Sequence, residues 1–438
     1  ITVEDEDEDE DEGAATEPPT DELEEEKEDR DGVPEIQNEE VAEKKANDSA
    51  VAKSDYKKDA GASAADGGRK KPSKPLRPAN LEIVQQPRQI DISFVDVSNG
   101  HTEHPHMPAL DAKGLPGYIH DETALRKNPP KMDYPNLKKG CRKRDDNYRM
   151  MHERIVVETE YDNKMEESGK KRDKIFCLVY TIESGHFKIP AIRETWGPKC
   201  DGFMVGSTKT DPSIGAVNIP HEGPEEYNNI WQKVRSMWSY IYDNYYEKYD
   251  WFHIGGDDLF LLVENLRYYL ESEEIQTAAN GGIYLPEGNE TKQTPLLLGR
   301  RFAYMGDMNN IFDSGGSGYT MNKAALKLLV TEGFPNYFPH RKTFSEDTMV
   351  ATLFKKINMV LPYDTKDDAG GERYMPFLPG HHYSYRLPKD PSKDWYAKYS
   401  IDIKEGPEHC SPQSVAFHYV KDDMMQRLFA LAYGLCPK

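Results

Sequence analysis

YDWFHIGGDDLF, residues 249–260, runs an aromatic, β-branched stretch straight into two glycines and two aspartates. YDWFHI (249–254) has the length and composition of a strand. LLVENLRYYLES (261–272) then continues at helical spacing. A strand that ends in an acidic turn before a helix is the junction at which open α/β sheets bind ligands. Asp257 and Asp258 offer hard carboxylate oxygens there, which suit Mg²⁺ or Mn²⁺, and a divalent ion is what a diphosphate needs. Taken alone, the pair serves a turn or a helix N-cap at least as well.

Working outward, KIFCLVYTI (174–182), DGFMVGS (201–207) and AVNIP (216–220) read as further strands, and HFKIPAIRETWG (186–197) as a turn and short helix stopped at Gly197-Pro198. EEYNNIWQKVRSMWSYIYDNYYEKY (225–249) places Ile230, Val234, Met237, Trp238, Ile241 and Tyr245 on one helical stripe, a core face. Alternating strands and helices predict an α/β domain with a mostly parallel, Rossmann-like sheet over residues 173–438.

The formal charge of −21 is unevenly spread, because residues 1–50 hold 23 of the 77 acidic groups and only 4 of the 56 basic ones. The remainder is close to neutral, which excludes a basic nucleic-acid face on the scale of the molecule. The first fifty residues lack aromatics and cannot bury enough apolar surface to offset the entropy of ordering, so residues 1–80 are expected to form a disordered acidic stem or linker. Residues 81–172, with LEIVQQP, ISFVDV and the basic LKKGCRKRDD, form an irregular region leading to the domain, and its assignment stays open. No apolar run of membrane-spanning length occurs, and the sequence opens at Ile1, so an anchor lost from the N-terminal side is compatible with it. Five cysteines without CxxC spacing are too few for a disulfide scaffold.

RETW (193–196), DWFHIGGDDLFLLVENLRYYL (250–270), LLGRRF (297–302), SGGSGYTMNKAAL (314–326), SEDTMVA (345–351), DTKDDAGGERYMPF (364–377) and CSPQSVAFHYV (410–420) together resemble the core 1 β1,3-galactosyltransferase family. These are inverting, fringe-like β1,3-glycosyltransferases, and the motifs fall in the family's order over roughly residues 174–425. The resemblance implies a GT-A fold, UDP-galactose as donor, a glycoprotein or GalNAc-peptide acceptor, and Mn²⁺ (or Mg²⁺) as cofactor. It further implies a Golgi type II membrane protein with an N-terminal anchor and a lumenal catalytic domain, and it admits a homodimer. The sequons Asn47-Asp48-Ser49 and Asn289-Glu290-Thr291 agree with a lumenal location.

Residue by residue, the resemblance makes Asp258 and His418 the metal ligands, with Asp257 near the nucleotide ribose. Asp347 matches the base that takes the acceptor proton, and Glu346 neighbours it. Thr181 and Arg193 match positions lining the nucleotide site, while Lys233, Arg300 and Arg301 are candidate phosphate contacts. Gly315, Gly316 and Gly318 match a glycine loop beneath the donor sugar, and Trp395 and Tyr396 an aromatic patch near the acceptor. From the residues alone, the acids serve equally as helix N-terminal acids, the basic groups as internal ion pairs, and the aromatics as core. The family usually carries three consecutive aspartates; Gly256 stands in the first place here, a departure that points either to weaker metal binding or to an inactive chaperone-like or lectin-like relative. Another UDP-sugar or acceptor is the third alternative. The family also implies a Cys177–Cys200 disulfide, with Cys410 joined to Cys436 or Cys141.

Overall fold

Ile175, Cys177 and Val179 project to one side of strand β1 (Ile175–Tyr180), Phe176 and Leu178 to the other, and all five are buried. Burial on both faces is why this strand reads as an unbroken apolar run. The computed structural model describes residues 94–98 and 137–436, apart from 359 and 422; the acidic stretch 1–80 lies outside the described residues.

The main sheet runs in the order β3 (Ala216–Asn218), β2 (Gly202–Ser207), β1, β4 (Trp251–Gly256), β7 (Tyr319–Asn322), β6 (Leu297–Gly299). The first four strands are parallel, and β7 is antiparallel to both of its neighbours. One face is covered by α3 (Ile189–Glu194), α5 (Val263–Leu270) and α7 (Asp423–Ala432). The other is covered by α4 (Ile230–Tyr245) and α6 (Glu346–Asn358). Val234, Met237, Trp238, Ile241 and Tyr245 of α4 are all buried, as the helical stripe predicts. Because β2 lies on one side of β1 and β4 on the other, the crossovers diverge between β1 and β4. That is the topological switch point, where open α/β sheets form a crevice at their carboxyl ends.

A small second sheet sits beyond that crevice. β8 (Tyr374–Met375) pairs in parallel with β9 (Ala416–Phe417), which pairs antiparallel with β5 (Phe260–Leu261). Its register sets Phe417 opposite Phe260, and Val420 N–H donates to the Asp258 carbonyl at 2.8 Å. The C-terminal strand is thereby pinned beside the acidic turn.

The segment that the sequence left open is helical from Leu137. α1 (Leu137–Arg142) packs on α7, and α2 (Thr159–Ser168) packs on α5. Arg427 of α7 binds both Asp145 oxygens at 3.0 and 2.8 Å and the carbonyls of Gly140 and Lys143. Cys177 and Cys200 are joined, as expected. The expectation for Cys410 is wrong: Cys141 pairs with Cys436, and Cys410 is a free, buried thiol. The α1–α7 packing brings Cys141 and Cys436 to a Cα separation of 5.4 Å, within disulfide reach, whereas Cys410 sits in the core beneath the second sheet.

Candidate active site

Asp257 and Asp258 follow β4 directly, and the two carboxyls take different partners. Thr181 Oγ1 donates to Asp257 Oδ2 at 2.6 Å, and Lys188 Nζ donates to Oδ1 at 2.7 Å, so Asp257 ties β4 to the turn after β1. That turn is close-packed: a Cβ on Gly185 would lie 2.4 Å from Thr181 Oγ1 and 2.6 Å from Asp257 Oδ2. Asp258 Oδ1 instead meets His418 Nε2 at 3.3 Å, with Lys421 Nζ 3.9 Å from Oδ2. Residues 160 positions apart meet because His418 follows β9 immediately, and β9 is registered against β5. His418 N–H donates to the Met375 carbonyl at 3.1 Å, and its ring stacks on Tyr419. Burial pushes the Asp258 carboxyl up, but the charge and hydrogen bond of His418, with Lys421 and Lys188, outweigh it and leave the group below the usual carboxylate range.

Glu346 and Asp347 open α6, whose apolar side (Met349, Val350, Leu353, Phe354) anchors it in the core. Asp347 Oδ2 accepts from Gly315 N–H at 2.9 Å and Oδ1 from Thr348 N–H at 2.7 Å. Tyr319 Oη donates to Glu346 Oε2 at 3.0 Å. Burial raises the Asp347 carboxyl above its ordinary value, against those two N–H donors. The 314–318 loop joins the two halves of the site. A Cβ on Gly315 would fall 2.5 Å from Glu346 Oε1, and one on Gly316 would fall 2.6 Å from His418 Nδ1. A Cβ at Gly316 would run into the His418 ring and one at Gly315 into the tip of the Glu346 carboxyl, so the loop backbone is pressed against site side chains.

Asp257, Asp258, His418, Thr181, Gly315, Gly316, Glu346 and Asp347 are thus brought together. The other candidates stand apart from this group or are engaged elsewhere. Lys233 is buried in an ion pair with Glu225 at 2.7 Å, although Asp257 is close enough to act on its charge. Arg193 donates to the Ser213 carbonyl at 3.2 Å. Arg300 is buried against Glu372 and donates to Ser400 Oγ at 2.9 Å, and Arg301 pairs with Asp364. Tyr396 is buried, with its hydroxyl 2.6 Å from His409 Nε2; Trp395 packs beside it on Phe302 and Phe377. Lys188 and Lys421, which sequence reasoning missed, are the cations beside the two aspartates. Both border a depression of about 290 Å³ that Phe187, Asp257 and Val420 also line. Neither lysine stands in a recognisable spacing, so only the fold reveals them.

No protein-family model matches the chain. It is similar to glycoprotein-N-acetylgalactosamine 3-beta-galactosyltransferase 1 of Xenopus laevis, with 27% identity over 278 residues, covering 63% of this chain and 70% of that protein. This similarity and the seven ordered motifs agree: the chain is related to the core 1 β1,3-galactosyltransferase family.

Proposed function

We propose that the chain is an inverting, metal-dependent β1,3-galactosyltransferase of the GT-A fold, moving galactose from UDP-galactose to O-linked N-acetylgalactosamine on glycoproteins. The observation that carries this reading is the meeting of Asp258 and His418 at 3.3 Å, joined through the 314–318 loop to the carboxyls of Glu346 and Asp347. Inverting transfer needs an anion-neutralising end and a proton-accepting end, and the Asp258–His418 pair with its lysines on one side and the Glu346–Asp347 carboxyls on the other support that division.

Asp258 and His418 would hold Mn²⁺ or Mg²⁺. A carboxylate oxygen and an imidazole nitrogen are acceptable donors, and both side chains are 15% exposed, leaving room for diphosphate oxygens and water. Among the described residues no group of three His, Cys, Asp or Glu side chains gathers as a metal site, and in this reading diphosphate oxygens and water would take the remaining positions. Held there, the ion would supply positive charge toward the departing diphosphate, and Lys188 and Lys421 add fixed positive charge on the same side. Asp347 accepts the proton of the acceptor's 3-hydroxyl as that oxygen bonds to the anomeric carbon. The anomeric carbon–phosphate bond breaks, UDP leaves with the electron pair, and configuration inverts. Glu346, fixed by Tyr319, holds its carboxylate beside the acceptor. The Golgi lumen and an N-terminal anchor belong to the same proposal, supported by two disulfides and by an exposed turn around Asn289 that carries a sequon. Among the described residues no helix is long and apolar enough to cross a membrane.

Gly256 favours a second reading, a noncatalytic relative that binds the nucleotide without transfer. One experiment separates the two. The chain is incubated with Mn²⁺, a panel of UDP-sugars and a GalNAc-peptide, and UDP release is followed. Acceptor-dependent release that is fastest with UDP-galactose and abolished by chelator is expected. Nucleotide binding without release selects the second reading.

A further inference from the structure

Tyr180 closes β1 directly across the parallel register from Gly256, so their side-chain positions lie together at the switch point. With no side chain at Gly256, the phenol ring lies over the bare backbone. A Cβ there would be 3.5 Å from the Tyr180 hydroxyl, 3.6 Å from its Cζ and 3.2 Å from Asp258 Oδ1. The ring is therefore set between the acidic turn and the rest of the site. Among the described residues, the Tyr180 hydroxyl makes no side-chain hydrogen bond. Burial, with the nearby carboxylates of Glu346, Asp258 and Asp347, pushes its ionisation well above the ordinary tyrosine value, so it stays a neutral O–H donor. An unengaged donor beside the Asp258 end of the acidic turn, and near enough to feel the charges of Glu346 and Asp347, is placed for a hydroxyl-rich molecule bound at the turn.

We propose that the Tyr180 hydroxyl donates a hydrogen bond to a hydroxyl oxygen of the sugar being transferred. This makes Tyr180 a donor-specificity residue, and it rests on the transferase reading of the site. Sugar epimers differ in the direction of one hydroxyl, so a single directional donor is the chemical means of telling them apart.

The test is calorimetric titration of the full chain and of Tyr180→Phe, an isosteric change, with UDP and with UDP-galactose, each in the presence of Mn²⁺. UDP affinity should stay within about twofold, while UDP-galactose affinity falls about tenfold, the worth of one hydrogen bond to a bound hydroxyl. UDP-galactose affinity that is unchanged, or that falls by the same factor as UDP affinity, overturns the proposal; the second result marks a structural role. A chain that fails to prefer UDP-galactose over UDP before mutation overturns it as well. Sugar-selective loss in Tyr180→Phe from a chain that shows no transfer would leave the contact standing and remove the transferase reading.

Discussion

Asp258 and Asp347 are two carboxyls in one site whose surroundings drive them in opposite directions, Asp258 down through His418 and the lysines, Asp347 up through burial. Such divergence separates a permanently ionised ligand from a group able to take a proton. Asp347→Asn keeps the shape and removes the acceptor of that proton, so turnover should fall 10²- to 10⁴-fold, about 3 to 5 kcal/mol of barrier, with UDP and Mn²⁺ binding nearly intact. Asp258→Asn should instead weaken metal and nucleotide binding together. If Asp347→Asn turns over near the wild-type rate at saturating donor and acceptor, the base is another group, with Glu346 next to test. The raised Asp347 carboxyl also predicts the pH profile. The base works deprotonated, so activity is present above its raised midpoint and lost as pH falls through it, at a pH above the ordinary carboxylate range. Asp347→Glu should shift that limb without changing nucleotide affinity.

The elements that place these groups were unequally visible in sequence. Strands 174–182, 201–207 and 249–254 stood out because burial on both faces leaves continuous apolar runs, and helix α4 because its stripe repeats at helical spacing. β6 and β7 are short, and the antiparallel place of β7 depends on register with β4 on one side and β6 on the other, a long-range fact that no local pattern carries. The acids and glycines of the site were legible through motif order, since those residues sit where the fold converges. Arg300, Arg301, Trp395 and Tyr396 were not, because a basic or aromatic residue reads alike whether it faces a ligand or, as observed, a buried carboxylate or ring cluster. At this scale the glycine loop is testable: Gly316→Ala drives a Cβ onto the His418 ring and should weaken Mn²⁺ binding, measured by titration, with little change in melting temperature. The sheet carries a second prediction. His253 of β4 is buried, with Nδ1 2.9 Å from Thr320 Oγ1, and burial depresses its pKa to about 3. The unfolded chain gains this proton near pH 6.5 and the folded chain only near 3, so the stability contributed by neutral His253 is full above pH 6.5 and lost as pH falls through that window, with a slope of about 1.4 kcal/mol per pH unit. His253→Gln should flatten the acid limb of denaturation curves between those values; an unchanged slope would assign the acid sensitivity elsewhere.

For the molecule as a whole, the decisive question is where the folding unit begins, because the change of pattern at Lys174 invites a boundary at residue 173. The structure ties earlier residues into the same core. Met150 and Met151 are buried within the cluster that covers β1, and Asn265 Oδ1 accepts from Glu158 N–H at 2.9 Å. Arg427 is nearly buried, and its oxygen partners, Asp145 and the carbonyls of Gly140 and Lys143, all precede residue 173. Truncation to 173–438 would remove those oxygen partners together with the helix that covers Arg427. It would also remove the Cys141–Cys436 crosslink, which spans 295 positions and is worth about 2 to 4 kcal/mol. The crosslink alone approaches the lower range of ordinary domain stability, before the lost Arg427 bonds and the uncovered methionines are counted. Among the described residues, a chain of 137–438 gives up the pairing of Val95–Asp96 with Lys292–Gln293, the Val97 N–H bond to the Thr291 carbonyl, the Lys327 bond to the Asp96 carbonyl and the burial of Val97. Its melting temperature should therefore stay within a few degrees of the full chain, while 173–438 should show no cooperative transition by calorimetry. A cooperative 173–438 chain melting at the same temperature as 137–438 would mean that the helices before residue 173 decorate the domain rather than complete it.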